Sequence, residues 1–130
     1  MKTLTMRGSE SGGETLRVER DIRITGIQVS GYWQSNDVDA RGQWVLRRRA
    51  SSLLTGDPTD LIAMVSMAHT VGAVGTEPAV MNENFWLGPM DVKAMQGEFL
   101  ILNTTLLAGS FLDAEVLFIL HYEDVPGVAL

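Results

Sequence analysis

The sequence predicts an all-β fold, an antiparallel β-sandwich or jelly roll of about eight strands. Three observations lead to this class. Short apolar runs rich in β-branched and aromatic residues recur along the chain, turn-rich segments separate them, and no stretch has convincing helical periodicity. This spacing is typical of sandwiches, in which each strand directs alternate side chains into one core.

Composition limits both the size and the chemistry of the protein. The chain has 130 residues, 45% of them hydrophobic and 20% charged, which fits one globular domain. Its net charge of −6 argues against general nucleic-acid binding, which requires a basic face. Cysteine is absent, so disulfides and thiolate metal sites are excluded. No apolar run reaches the ~20 residues of a membrane helix, and the first residues lack the apolar segment of a secretory signal.

The N-terminal third predicts an arm followed by three strands. Residues 1–14 are rich in Gly, Ser and Thr, which indicates a flexible arm ahead of a single sandwich domain at residues 15–124. Residues 16–24 alternate between apolar and charged side chains, apart from Arg20, as a half-buried strand does. A second alternating run ends at Trp33, and a third begins at Trp44. Both tryptophans fall on apolar faces and are expected in the core.

The third strand runs into three consecutive arginines, Arg47, Arg48 and Arg49. A strand would direct Arg47 and Arg49 to one face and Arg48 to the other. One interpretation is a solvated edge that prevents edge-to-edge strand pairing. The other is a contact with an anion or an acidic partner, including ion pairs between subunits, because guanidinium groups match carboxylates and phosphates.

The middle of the chain is less regular. Residues 61–69 are ambiguous between a buried helix and a strand, and we interpret them as a strand that places four side chains on one face: Leu61, Ala63, Val65 and Met67. Residues 71–84 contain several turn formers and no periodicity, which predicts a long loop. Short strands are expected at residues 85–87 and 91–95, on either side of Gly88-Pro89.

Trp86 is the best candidate for an exposed apolar residue. It adjoins Phe85, so one of these two aromatic side chains must point away from the core if they lie in a strand. A large aromatic side chain on a surface is the usual form of an interface anchor. We therefore predict that Trp86 contacts a partner.

The C-terminal part of the chain contains two strongly apolar runs, residues 99–102 and 114–122, which we expect to be the central strands. A loop is expected between them at residues 103–113, and a short apolar tail follows at residues 125–130. Neither run alternates cleanly with polar residues. Either both faces are buried in the sandwich, or one face lies in the core and the other against another subunit. Phe118 and Tyr122 in the second run are therefore candidate interface residues.

The sequence contains no motif that identifies a chemical activity. His69 and His121 are far apart, and neither an HxH, an HExxH nor a GxSxG pattern occurs. We therefore predict that the protein is not an enzyme and that it has no catalytic residue, no metal ligand and no cofactor.

The arm, the short strands and the final apolar pair ending in VLFILHYED resemble small viral single jelly-roll capsid proteins over residues 16–124. The resemblance implies a self-assembling virion component, as capsid, decoration or spike-base protein, assembled in the host cytoplasm. Its partners would be copies of itself and other virion proteins. The alternative is a carbohydrate-binding, lectin-like or receptor-binding β-sandwich, in which Asn82 and Asn84 would accompany Trp86 at a sugar platform.

Overall fold

The structure is a computed structural model that describes residues 2–35, 39–49, 60–70, 79–109 and 113–125. These residues form nine strands: β1 (Lys2–Ser9), β2 (Thr15–Arg17), β3 (Ile22–Ser35), β4 (Asp39–Arg49), β5 (Asp60–Thr70), β6 (Ala79–Leu87), β7 (Val92–Ala94), β8 (Phe99–Ala108) and β9 (Asp113–Asp124). The predicted all-β class is confirmed, with one strand more than the eight expected.

The strands form two antiparallel sheets that pack face to face. Sheet 1 has the order β1-β9-β3-β6, with β7 also paired to β3, and sheet 2 has the order β2-β8-β4-β5. Most neighbours within a sheet are distant in sequence, because the chain repeatedly crosses from one sheet to the other. This connectivity defines a jelly-roll β-sandwich.

Burial alternates along β9, the strand at the centre of the apolar C-terminal run. Every second side chain is buried between the sheets, namely Ala114, Val116, Phe118 and Leu120. The side chains between them are partly exposed on the opposite face. Only one face of β9 is therefore buried in the core of the sandwich. The other face is half covered within the subunit.

Trp33 and Trp44 lie at the centre of the core, as the alternation predicts. Both are 0% exposed. The indole Nε1–H of Trp44 donates a hydrogen bond to the carbonyl of Ser9, with a nitrogen–oxygen distance of 3.2 Å. Trp44 therefore fills space between the sheets and also fixes the end of β1.

The interpretation of residues 61–69 as a strand is confirmed. The Met67 side chain is outside the described part of the structure, and of the other three predicted on one face, Leu61 lies on the wrong side. Ala63 and Val65 are buried as predicted, whereas Leu61 is 56% exposed. Leu46 pairs with Ala63 and the next residue, Arg47, pairs with Leu61, so β5 carries one extra residue at this point. Such a bulge reverses the facing of the residues beyond it.

The N-terminal segment differs most from its prediction. Instead of a free arm, residues 2–9 form β1, which pairs with β9 along its whole length. The glycines that suggested flexibility allow close approach of the backbone instead, since a Cβ on Gly13 would lie 1.7 Å from the carbonyl oxygen of Leu102. At that point Glu14 and Leu102 exchange two backbone hydrogen bonds of 3.1 and 2.8 Å.

Two predicted loops are shorter than expected. Residues 79–84 belong to β6, and residues 103–108 belong to β8. Polar residues suggested the second loop, but Thr104 is satisfied inside the sandwich. Its hydroxyl oxygen lies 3.1 and 2.9 Å from the carbonyl oxygens of Ser9 and Gly12, which share its one proton. The rest of the predicted loop at residues 71–84 and the tail after Val125 lie outside the described residues.

Lys2 and Asp124 form an ion pair that joins the start of β1 to the end of β9, and the Arg20 guanidinium lies 3.6 Å from the same carboxylate. The pKa of Asp124 lies below its usual value, mainly because its carboxylate accepts a hydrogen bond from Lys2. Partial desolvation raises this pKa, whereas the positive charges of Lys2 and Arg20 lower it further. The folded state therefore binds the Asp124 proton less readily than the unfolded chain does.

We expect Asp124→Asn to remove part of the acid sensitivity of folding. A depressed carboxyl pKa stabilises the native state above the unfolded pKa of about 3.9, and this contribution disappears as the pH falls through the folded value. The free energy of unfolding, measured with urea, should be slightly larger for the wild type than for the variant at neutral pH. In acid this difference should disappear. An unchanged difference at both pH values would contradict this role for the ion pair.

Candidate interaction surface

The outer face of sheet 1 is the surface formed by the side chains of β1, β9, β3 and β6 that point away from the core. Its two central strands are β3 and β9. In β3 the one charged residue is Arg23, close to the start of the strand, and β9 has no Asp, Glu, Lys or Arg between Glu115 and Glu123. The middle of this face therefore carries no formal charge from its central strands.

Trp86 lies on this face and is 51% exposed. Its ring passes over Gly26, where an added Cβ would lie only 2.1 Å from the indole Cζ2 atom. The ring then meets His121 of β9 edge to face, with 5.0 Å between the centroids and 73° between the planes. Glycine at position 26 thus allows the indole to lie across β3, with half of its surface open to solvent.

Two rows of cross-strand neighbours continue the surface beyond Trp86. In the first row Gln28 of β3 pairs with Trp86 on one side and Ile119 on the other. In the second row Ser30 pairs with Asn84 and Leu117. Directly opposed side chains are about 4.5–5.5 Å apart at Cβ, so apolar and small uncharged groups form a continuous patch.

A shallow concavity of about 220 Å³ lies on the same face, beside Leu117. Its lining is mostly uncharged: Ser30, Gly31, Tyr32, Asn84, Glu115 and Leu117. The partly exposed Leu117 and Tyr32 border it from adjacent strands. The face is thus not flat, and a partner surface could insert a small side chain here.

Ion pairs lie at the two ends of the patch. At one end Arg7 approaches Glu115 at 3.3 Å. At the other end Arg23 contacts Glu123 at 3.2 Å and Asp91 at 3.0 Å. An apolar centre with a polar rim is the arrangement that protein interfaces share.

Phe118, a predicted interface residue, is fully buried between the sheets. Its side chain belongs to the core and does not reach the surface of the subunit. The neighbouring Leu117 and Ile119 occupy the surface instead, and the sequence interpretation missed them. The strand period contained the signal, because all outward positions between Glu115 and Glu123 are uncharged.

Tyr122, another predicted interface residue, lies apart from Trp86. It is partly buried and packs against the core. It lines a cleft of about 330 Å³ between β1 and β2, together with Leu4, Leu16 and Ile22. The structure therefore separates the predicted interface residues into different regions, because even-numbered residues of β9 face inward.

The three arginines also separate. The guanidinium of Arg48 forms an ion pair with Asp60 of β5 and donates to the carbonyl of Lys93 in β7, so it ties sheet 2 to sheet 1 within one subunit. Arg47 and Arg49 point to the opposite side, the outer face of sheet 2, as the alternation predicts. Arg49 lies over the ring of Phe99, 5.2 Å from its centroid.

Within the described part of the chain, no group of three His, Asp or Glu side chains is placed to hold a metal ion. The same residues include no helix of the length and apolarity needed to cross a membrane.

The two antiparallel sheets and their connectivity define the class of the fold as a jelly-roll β-sandwich. Among solved structures, the chain is similar to the Eiger TNF from S. frugiperda, with a TM-score of 0.50 and 10% sequence identity over 92% of this chain and 69% of that one. A likeness at this identity establishes the fold alone.

Sequence comparison adds no family. No protein-family model matches the chain, and no curated protein is detectably similar to it. The structural likeness confirms the jelly-roll part of the resemblance that the sequence suggested.

Proposed function

We propose that this protein is a structural subunit that self-associates through the outer face of sheet 1. The observation that carries the proposal is the uncharged centre of that face, where Leu117, Ile119 and Trp86 remain partly exposed between rim ion pairs. Removing apolar surface from water contributes roughly 25 cal/mol per Å². Packing of the patch of each subunit against a neighbouring copy would remove this surface from water.

We expect a closed trimer, the assembly in which TNF-like jelly rolls typically self-associate. A closed ring would use the patch on every subunit and leave none to recruit further copies. We place this assembly in a virion, as a capsid, decoration or spike-base component formed in the host cytoplasm. The pattern shared with viral single jelly-roll proteins supports that setting, and the role requires no catalytic activity.

Light scattering over a dilution series tests the self-association. We expect one discrete mass of about three subunits that is insensitive to salt, because the contact is apolar and salt mainly screens exposed charges. A monomer at every concentration would overturn the proposal. Electron microscopy of the assembled material would then distinguish a closed oligomer from a larger shell.

A matched pair of variants locates the contact. Trp86→Ala should weaken self-association by about 30-fold or more, the effect of losing an aromatic anchor worth about 2 kcal/mol. Met64 is the control because it is 50% exposed, close to the 51% of Trp86, but lies in β5 of sheet 2. Met64→Ala should leave the mass unchanged. Equal effects of the two substitutions would exclude sheet 1 as the contact.

A further inference from the structure

The outer face of sheet 2 gathers three arginines that are dispersed in sequence. Phe99 of β8 pairs with Arg17 of β2 on one side and with Arg49 of β4 on the other. In the next row Ile101 pairs with Arg47. Because directly opposed residues face the same side of a sheet, the three guanidinium groups share one surface.

Strand geometry sets the spacing of these groups. Adjacent strands are about 4.8 Å apart, which puts the Cα atoms of Arg17 and Arg49 roughly 10 Å apart across β8. Arg47 lies two residues along β4 from Arg49, or roughly 6.6 Å. Long side chains at these distances can contact successive groups of one extended anionic molecule, whereas a single small anion would reach only some of them.

These arginines are not neutralised by the described residues. No ion pair or side-chain hydrogen bond in the described part of the chain involves Arg17 or Arg47, and Arg49 makes its contact with an aromatic ring. Other arginines of the protein do face carboxylates: Arg7, Arg20, Arg23 and Arg48. In a chain with a net charge of −6, this is a local concentration of unpaired positive charge.

We infer that the outer face of sheet 2 binds an acidic polysaccharide, one that carries sulfate or carboxylate groups along a hydroxyl-rich chain. Guanidinium groups bind both anions through paired N–H donors. Uncharged polar side chains lie beside the arginines in the same and the following rows, including Thr15, Gln43, Asn103 and Thr105. Their hydroxyl and amide groups suit the hydroxyls of a sugar chain.

Single-stranded nucleic acid, the other extended polyanion, fits this surface less well. Proteins that bind it without sequence preference stack the bases on exposed aromatic rings. Phe99 is the aromatic residue on this face among the described residues, and Arg49 already covers its ring. The surface therefore offers charge and hydrogen bonds but no free stacking platform.

The inference does not depend on self-association, because it uses the opposite sheet. A subunit that assembles through the outer face of sheet 1 would keep the outer face of sheet 2 in solvent. Repetition of the arginines around the assembly would then raise the overall affinity for a long polymer through multivalent contact. Binding by the subunit alone remains the primary expectation.

Binding assays with three defined probes test the inference: heparin as a sulfated chain, polygalacturonate as a carboxylated chain, and a single-stranded oligonucleotide of equal charge. We expect binding of heparin or polygalacturonate at low ionic strength and a decline in affinity with added salt. No binding of either polysaccharide at low salt would overturn the inference. Tighter binding of the oligonucleotide would also overturn it.

Two double variants with the same change in net charge identify the surface. Arg17→Gln with Arg47→Gln should weaken polysaccharide binding about tenfold or more, since two charge-assisted contacts are lost. Arg23→Gln with Lys93→Gln, which changes charges on sheet 1, should alter it by about twofold or less. Equal weakening in both would show that binding follows net charge and would refute the site. Light scattering on both variants separates this result from any loss of self-association.

Discussion

Phe118→Asp should abolish the folded protein, whereas Ile119→Asp should give a folded subunit that no longer self-associates. The two residues are adjacent in β9 and face opposite sides of sheet 1. Phe118 is 0% exposed and packs between the sheets, whereas Ile119 is partly exposed on the outer face. The same substitution therefore tests two different environments.

The loss expected for Phe118→Asp is comparable with the whole stability of a domain of this size. Removing a buried phenylalanine costs about 3–5 kcal/mol, and an unpaired carboxylate in the cavity adds a further desolvation penalty. Total stabilities are about 5–15 kcal/mol. Circular dichroism and the soluble yield measure this outcome, and a folded, soluble Phe118→Asp variant would contradict the position assigned to β9.

Ile119→Asp should cost little stability, because the new carboxylate stays in contact with water in the isolated subunit. On self-association the same carboxylate would be taken out of water at the centre of the contact, which disfavours the assembled state strongly. We expect wild-type-like circular dichroism and a monomeric mass by light scattering. If Ile119→Asp keeps the assembled mass, the contact lies on another surface. Thr15→Asp, on the outer face of sheet 2, is the control and should keep the assembled mass.

Local pattern was sufficient to predict the fold class and several side-chain positions. Alternation with a period of two depends only on the strand itself, so it placed Trp33 and Trp44 in the core and separated Arg48 from its neighbours. The exposed position of Trp86 followed from its adjacency to Phe85. These predictions required no knowledge of which strands pair.

Features that depend on strand order could not be predicted in this way. The pairing of β1 with β9 joins residues more than a hundred positions apart, so the segment that contains Gly8 and Gly13 suggested a free arm. The extra residue in β5 likewise appears only when Leu46 is matched with Ala63. The arginine surface is of the same kind, since Arg17 meets Arg49 only through Phe99 of a third strand.

Trp44→Ala should produce one of the largest losses of stability among substitutions that introduce no charge. The side chain is fully buried, and truncation of a buried tryptophan costs about 3–5 kcal/mol. The substitution also deprives the Ser9 carbonyl of the indole hydrogen bond at 3.2 Å. At a urea m-value of about 2 kcal/mol per M, the unfolding midpoint should fall by about 2 M.

Trp44→Phe separates packing from hydrogen bonding at this position. It retains an aromatic ring in the core but removes the indole N–H, so it should lose less stability than Trp44→Ala while still freeing the end of β1. Amide hydrogen exchange should then show faster exchange near Ser9 in both variants, since the bond that ties this end of β1 to β4 of sheet 2 is gone. Unchanged protection there would mean that pairing with β9 and the hydrogen bond from Thr104 suffice to order the N-terminal strand.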